Sequence, residues 1–197
     1  MSDAACPSDS LCHVRTIRME IHDLGDSRMR VTGSLDDERT GTAPGVLDLV
    51  VHGMRMSWDV RVDDLVIEAV DAWMEHQPHA ECSDIAPAMQ QLVGLPVARG
   101  FTREVLSRLG SIKGCAHMRH LALAMAQAAV QGVYAVARHQ NTDLAVTEND
   151  DVSWLSLLSG TCHVWSEGGP GPRKLAAGWR PGKIEMPVPR YEDLFGE

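Results

Sequence analysis

The segment VLDLVVHGMRMSWDVRV, residues 46–62, alternates with a period of two. Val50, His52, Met54, Met56, Trp58, Val60 and Val62 stand at even positions, and Gly53, Arg55, Ser57, Asp59 and Arg61 at odd ones. Successive side chains of a strand point to opposite faces, so this stretch is a strand with one apolar face that has to be covered. His52 shares that face with the Met and Trp side chains.

The flanking segments carry the same period. Val14, Ile17, Met19 and Ile21 are apolar, and from Ile17 onward Arg18, Glu20 and His22 fall between them. Leu24-Gly25-Asp26-Ser27 reads as a turn. Met29, Val31 and Leu35 then alternate with Arg28, Arg30 and Thr32, which predicts a hairpin. Asp36 to Gly45 reads as a polar loop. Asp63-Asp64 makes a tight turn, and Leu65, Ile67, Ala69 and Trp73 continue as a fourth strand. The expectation is a meander of four antiparallel strands.

After His79 the period becomes helical. Ser83 or Asp84 is placed to cap a helix over Ile85 to Val93, closed by Gly94. Thr102 is placed to cap a second over Arg103 to Leu109, closed by Gly110. A third, the longest, begins near Cys115 or Ala116 and runs to about His139. On a helical wheel Met118, Ala122, Met125, Ala129, Val133 and Val136 fall on one side, and His120, Gln127, Gln131 and Arg138 on the other. That Met/Ala stripe is expected to pack across the apolar side of the sheet. Residues 140–152 read as a polar linker or loop, Trp154 to Leu158 as a short element, and Thr161 to Trp165 as one more strand. The domain plan is a flexible lead over 1–11, a single α+β domain over 12–166 and an irregular tail over 167–197. The fold class is α+β: a curved antiparallel meander of four or more strands packed on the long helix, with two shorter helices.

Composition narrows the function. Hydrophobic residues make up 44% of the chain, enough for a real core. The formal charge of -9 leaves no excess of Lys and Arg for phosphates, so no nucleic-acid partner is expected. No apolar run reaches the roughly 18 to 20 residues of a membrane span. The start, MSDAACPSDS, has no basic segment and no apolar core, so a signal peptide is not expected and a cytoplasmic protein is. Cys6, Cys12, Cys82, Cys115 and Cys162 are then expected as thiols.

Cys and His stand close together at Cys12-His13, Cys115-Ala116-His117 and Cys162-His163. Two chemistries compete. Neutral imidazole and thiolate are good zinc ligands, but the spacing matches no standard metal motif and there is no CxxC pair. The alternative is a metal-free pocket in which histidines move protons and a cysteine is a neighbour, a nucleophile or only filling. An imidazole in an apolar stripe loses hydration and favours its neutral form, which a general base requires. The competing account of His52 is a core histidine bonded to backbone. Cys115 and His117 sit where a helix starts, so free N–H groups there favour an anion. The competing account is a tight helix entry with a buried thiol. Arg15 is either solvated or, if it points inward, a fork for a carboxylate. Asp36 and Asp37 are read as the start of a turn. There is no GxGxxG, no P-loop and no GxSxG.

Taken together, HVRTI in the first strand, GSLDDE after the second, VHGMRMSWDVRVDDLVI over the third and fourth, the Cys82 segment, LVGLPVARGFT, GCAHM and TCHVW resemble a bacterial family of unknown function, DUF2889. The likeness spans about residues 12–166. GCAHM is its most specific piece; Ala116 stands where typical members have a threonine. Genes of such members are met among those for breakdown of aromatic and other small compounds, so the resemblance implies a catabolic enzyme. The expected function is a cofactor-independent lyase working by acid–base chemistry on a small, anionic aromatic compound. His52 is the expected base, with His117 or His13 as acid. Arg15, Cys115, Cys82 and His163 are expected to line the substrate site. Two alternatives stand beside it. One is a zinc protein using His13, His52, Cys115 and His117, and the other is a non-catalytic binding or oligomerisation module. A homodimer is expected.

Overall fold

The computed structural model describes residues 11–40, 49–139, 159–179 and 187–196. The chain forms two compact units, Met1–Gln140 and Asn141–Glu197. In the first unit β1 (His13–Gly25), β2 (Arg28–Arg39), β3 (Leu49–Arg61) and β4 (Ile67–His76) form one antiparallel sheet in sequence order. This is the α+β meander that the alternation predicts. The hairpin between β1 and β2 turns through Asp26 and Ser27, both with left-handed backbone.

A 3-10 helix (Ala80–Leu92) and α1 (Phe101–Leu109) lead to α2 (Ala116–His139), the longest helix. Met118, Ala122, Met125, Ala129, Val133 and Val136 of α2 are all buried, as is Leu121, and α2 lies against β1, β2 and β3. The inward sheet residues Met29, Val31, Leu35, Met54, Met56, Trp58 and Val60 complete this core. Phe101 of α1 meets the Trp58 ring edge to face at 6.0 Å. Two glycines let the helix come close. A Cβ on Gly33 would stand 2.6 Å from Met125 Sδ, and one on Gly132 would stand 2.9 Å from Ile21.

Several local expectations are corrected. Asp36 to Arg39 do not open a loop; they extend β2. The predicted helix over 85–93 is a 3-10 helix that starts earlier, at Ala80, and holds Pro87 inside it. Proline has no N–H and its ring collides with the carbonyl four residues back, which disfavours α geometry there. Ser83 caps nothing; its hydroxyl donates to the Ala80 carbonyl at 3.1 Å. The first residue of α1 is Phe101, so Gly100, with φ of 95°, and not Thr102 is the cap position.

Trp73 was expected on the apolar face and is 47% exposed. The cause is a bulge. Val60 pairs with Ile67 and Asp59 with Ala69, which leaves Glu68 as an extra residue. One extra residue turns every later side chain to the other face. Val70 then points inward opposite Trp58, and Trp73 points outward opposite Arg55.

In the second unit Thr161 to Trp165 form turns and bends, not a strand. Their backbone is satisfied locally, with the Trp165 N–H donating to Cys162 at 3.1 Å and the Gly160 N–H to Trp165 at 2.9 Å. Where an irregular tail was expected, two short helices occur, α3 (Pro170–Ala176) and α4 (Tyr191–Phe195). Pro170 suits a first helical position because that N–H would have no helical partner. The lead over residues 1–10, the linker and the element over 154–158 lie outside the described residues.

Candidate functional site

The register of three strands builds the site. Arg15 of β1 lies directly opposite Asp37 of β2, and Asp37 lies directly opposite His52 of β3. Residues opposite one another share a face, so the three form a row across the sheet. His13, two residues before Arg15, joins the same face. Asp37 continues the inward series Met29, Val31, Gly33, Leu35, so a carboxylate occupies what would otherwise be a core position. It is 1% exposed. Just beyond it the β2–β3 ladder bulges at Val51. The fourth side of the site comes from the start of α2, which brings Cys115 and His117 over the row.

Asp37 is the hub. Arg15 clasps it with both arms of its fork, Nε to Oδ1 at 2.6 Å and Nη2 to Oδ2 at 2.7 Å. His13 Nε2 stands 3.2 Å from Oδ1, and His52 Nδ1 stands 3.1 Å from Oδ2. His117 Nε2 approaches Oδ2 at 3.5 Å. The Arg15 guanidinium, opposed by burial and helped by His117 and His13, holds the Asp37 carboxyl down at about 2. Asp37 is therefore an anion across the physiological range, and a carboxylate only accepts hydrogen bonds.

That sets the tautomers. The imidazole nitrogens that face Asp37 carry hydrogen. In their neutral forms His52 would keep its lone pair on Nε2 and His117 its own on Nδ1. His117 Nδ1 faces Cys115 Sγ at 3.8 Å. The His52 and His117 rings stack at 3.8 Å with a tilt of 28°. Burial, and after it the neighbouring His52, pushes His117 below the usual imidazole range, with Asp37 pulling the other way. His117 is held toward its neutral form.

Six of the residues singled out from the sequence can be placed within the first unit. His13, Arg15, His52, Cys115 and His117 come together around one carboxylate. Cys82 lies in the 3-10 helix, half-buried, and among the described residues no hydrogen bond or ion pair joins it to this cluster. His163 belongs to the second unit, where it is exposed. The residue missed is Asp37, read as part of a turn. Its signal was present: it keeps the odd-numbered inward parity of β2.

Asp37, His52 and His117 offer ligand atoms that all lie within 4.8 Å of one another. The stacked rings are poorly disposed to share an ion as they stand. Planes tilted by 28° with centroids 3.8 Å apart converge roughly 7 Å away, whereas an imidazole holds zinc in its own plane at about 2 Å from nitrogen. What the arrangement does offer is two imidazoles side by side on a charged anchor.

Comparison with curated proteins and with solved structures gives no significant match. The family model described as a protein of unknown function, DUF2889, matches residues 13–131 and so includes every residue of the cluster, while TCHVW falls beyond it. With more than half of its length in that match, the chain belongs to the DUF2889 family.

Proposed function

We propose that this protein is an enzyme in which His52 and His117 act as base and acid on a small organic substrate. The observation that carries the reading is the shared carboxylate: both rings are fixed on Asp37 Oδ2, at 3.1 and 3.5 Å. Each then has its other nitrogen available for a proton. Two imidazoles that lie in contact resist being charged together, so one is suited to give a proton while the other takes one. Paired proton transfer of this kind cleaves a bond next to an acidified position, which is lyase chemistry without a redox cofactor. An aromatic compound is the proposed substrate, as the family resemblance suggests. Arg15 has its fork closed on Asp37, so it serves as the counter-ion that positions the carboxylate. An anionic group of the substrate would sit at the start of α2. A cytoplasmic setting and a homodimer belong to the same proposal. No helix of the described residues is long and apolar enough to cross a membrane.

The test is turnover of a panel of phenolic and aryl-carboxylate compounds with hydroxylated side chains, followed by ultraviolet absorbance. His52→Ala and His117→Ala should each lower the rate by about a hundredfold or more, the usual worth of a general acid or base. Unchanged rates in both variants would sink the reading. A zinc-dependent reading is favoured by one observation, the three clustered donors of Asp37, His52 and His117. Stoichiometric zinc in the purified chain, lost in both His variants, would replace the metal-free scheme.

A further inference from the structure

Cys115 has no part in the proton-transfer scheme, yet its sulfur faces the one nitrogen of His117 that carries a lone pair. From sulfur to carboxylate the order is Cys115 Sγ, His117 Nδ1 at 3.8 Å, then His117 Nε2 and Asp37 Oδ2 at 3.5 Å. A thiol, an imidazole and a carboxylate in that order make up an activated nucleophile, a base and the group that orients the base. Apo spacings in such sets are often loose and tighten around substrate.

We propose that Cys115 is a catalytic nucleophile and that the site takes activated acyl compounds, carboxylic esters or thioesters. This goes beyond the acid–base reading and shares with it only that His117 moves protons. Three further observations support it. Cys115 stands immediately before α2, and its carbonyl accepts the first bond of the helical ladder, from the Arg119 N–H at 3.0 Å. The amides of Ala116, His117 and Met118 precede that bond, so they are first-turn N–H groups without a helical partner, the kind of donor that stabilises an acyl oxyanion. Cys115 is half-buried and so not sealed in the core. Arg15 keeps Asp37 charged, so the imidazolium formed on His117 has its counter-ion in place.

The chemistry balances within the site. The Cys115 sulfur bonds to the acyl carbon while its proton passes to His117 Nδ1. The carbonyl π pair moves to oxygen, which rests against the helix-start amides. Collapse breaks the bond to the alkoxide or thiolate leaving group, which takes the proton from Nδ1. Water then gives a proton to the same nitrogen and attacks the thioester. The sulfur leaves, recovers the proton, and a carboxylic acid is released.

The experiment uses the full chain. Iodoacetamide labelling at neutral pH, read by peptide mass spectrometry, compares Cys115 with the exposed Cys162. Cys115 should react about tenfold faster or more, and His117→Gln should remove that advantage. p-Nitrophenyl acetate should give a burst of one equivalent with acetyl on the Cys115 peptide, and Cys115→Ser should abolish it. The proposal falls if Cys115 labels no faster than Cys162 in the wild-type chain, a comparison that needs no variant to fold. It also falls if the burst survives Cys115→Ser. Turnover of the aromatic panel separates the two ideas. Full panel turnover by a wild-type chain that forms no acyl-enzyme on Cys115 overturns the covalent role and leaves the acid–base reading. An acyl-enzyme on Cys115, with panel turnover unaffected by His52→Ala and His117→Ala, overturns that reading and leaves the nucleophile.

Discussion

Among the described residues, two arginine–aspartate forks of nearly identical geometry bridge neighbouring strands. Arg15 clasps Asp37 across β1 and β2 at 2.6 and 2.7 Å. Arg30 clasps Asp59 across β2 and β3 at 2.7 and 2.9 Å. Both are cross-strand pairs in direct register. They differ in face. Asp37 is 1% exposed and bears three histidines as well, while Asp59 is 27% exposed and faces water. The comparison shows that parity along a strand, more than residue type, decides whether such a pair is screened decoration or the anchor of a site. An exposed pair is worth little because water competes for both partners. A buried one cannot lose a partner without leaving a charge stranded.

The largest expected difference follows directly. Asp37→Ala should destabilise the fold by about 1–3 kcal/mol, since Arg15, His13 and His52 all lose their shared acceptor. Asp59→Ala should cost less than about 1 kcal/mol. Urea unfolding of the two variants measures both, and equal losses would break the comparison.

Acid provides the next contrast. Asp37 has its carboxyl lowered from 3.8 to about 2, so its contribution is complete above the higher value and is lost as pH falls through the lower. That shift corresponds to about 2 kcal/mol. A denaturant series between neutral pH and pH 2 should therefore show a drop that Asp37→Asn lacks and Asp59→Asn retains. His117 acts in the same sense but in a higher pH range. Its folded value lies below the ordinary 6.5, so the unfolded chain gains a proton first and stability declines as pH falls beneath that point. His117→Ala should flatten this part of the curve.

Gly33→Ala sharpens the contrast further, because only the inward fork is roofed by a helix. The added methyl would press on Sδ and Cγ of Met125, a flexible side chain, and on Leu121, so the cost should be about 1–3 kcal/mol. The measurable consequence is a shift of the His117 imidazole resonances, with those of exposed His120 unchanged. The smallest effect belongs to the outer fork. Arg30→Ala should change stability little, and less still in high salt. A larger loss would show that the outer pair does more than its exposure implies.

The amino-acid order alone determined the class of fold, since a period of two and then of 3.6 dictates which elements form and which face of each is apolar. It placed α2 and its Met/Ala stripe, and it marked His13, Arg15, His52, Cys115 and His117 as chemistry-bearing. It misjudged Trp73, because a bulge at Glu68 changes parity through hydrogen bonds to another strand. It misjudged Asp37, because adjacent aspartates resemble a turn when read locally. Only tertiary structure decided that Asp37 lies between Arg15 and His52, since register is a property of three strands together. Likewise only packing laid the start of α2 over that row, because a helix positioned by the contact of Gly33 with Met125 takes its place from residues more than ninety positions apart. Local periodicity is written in neighbours along the chain; a functional site is written in neighbours across it.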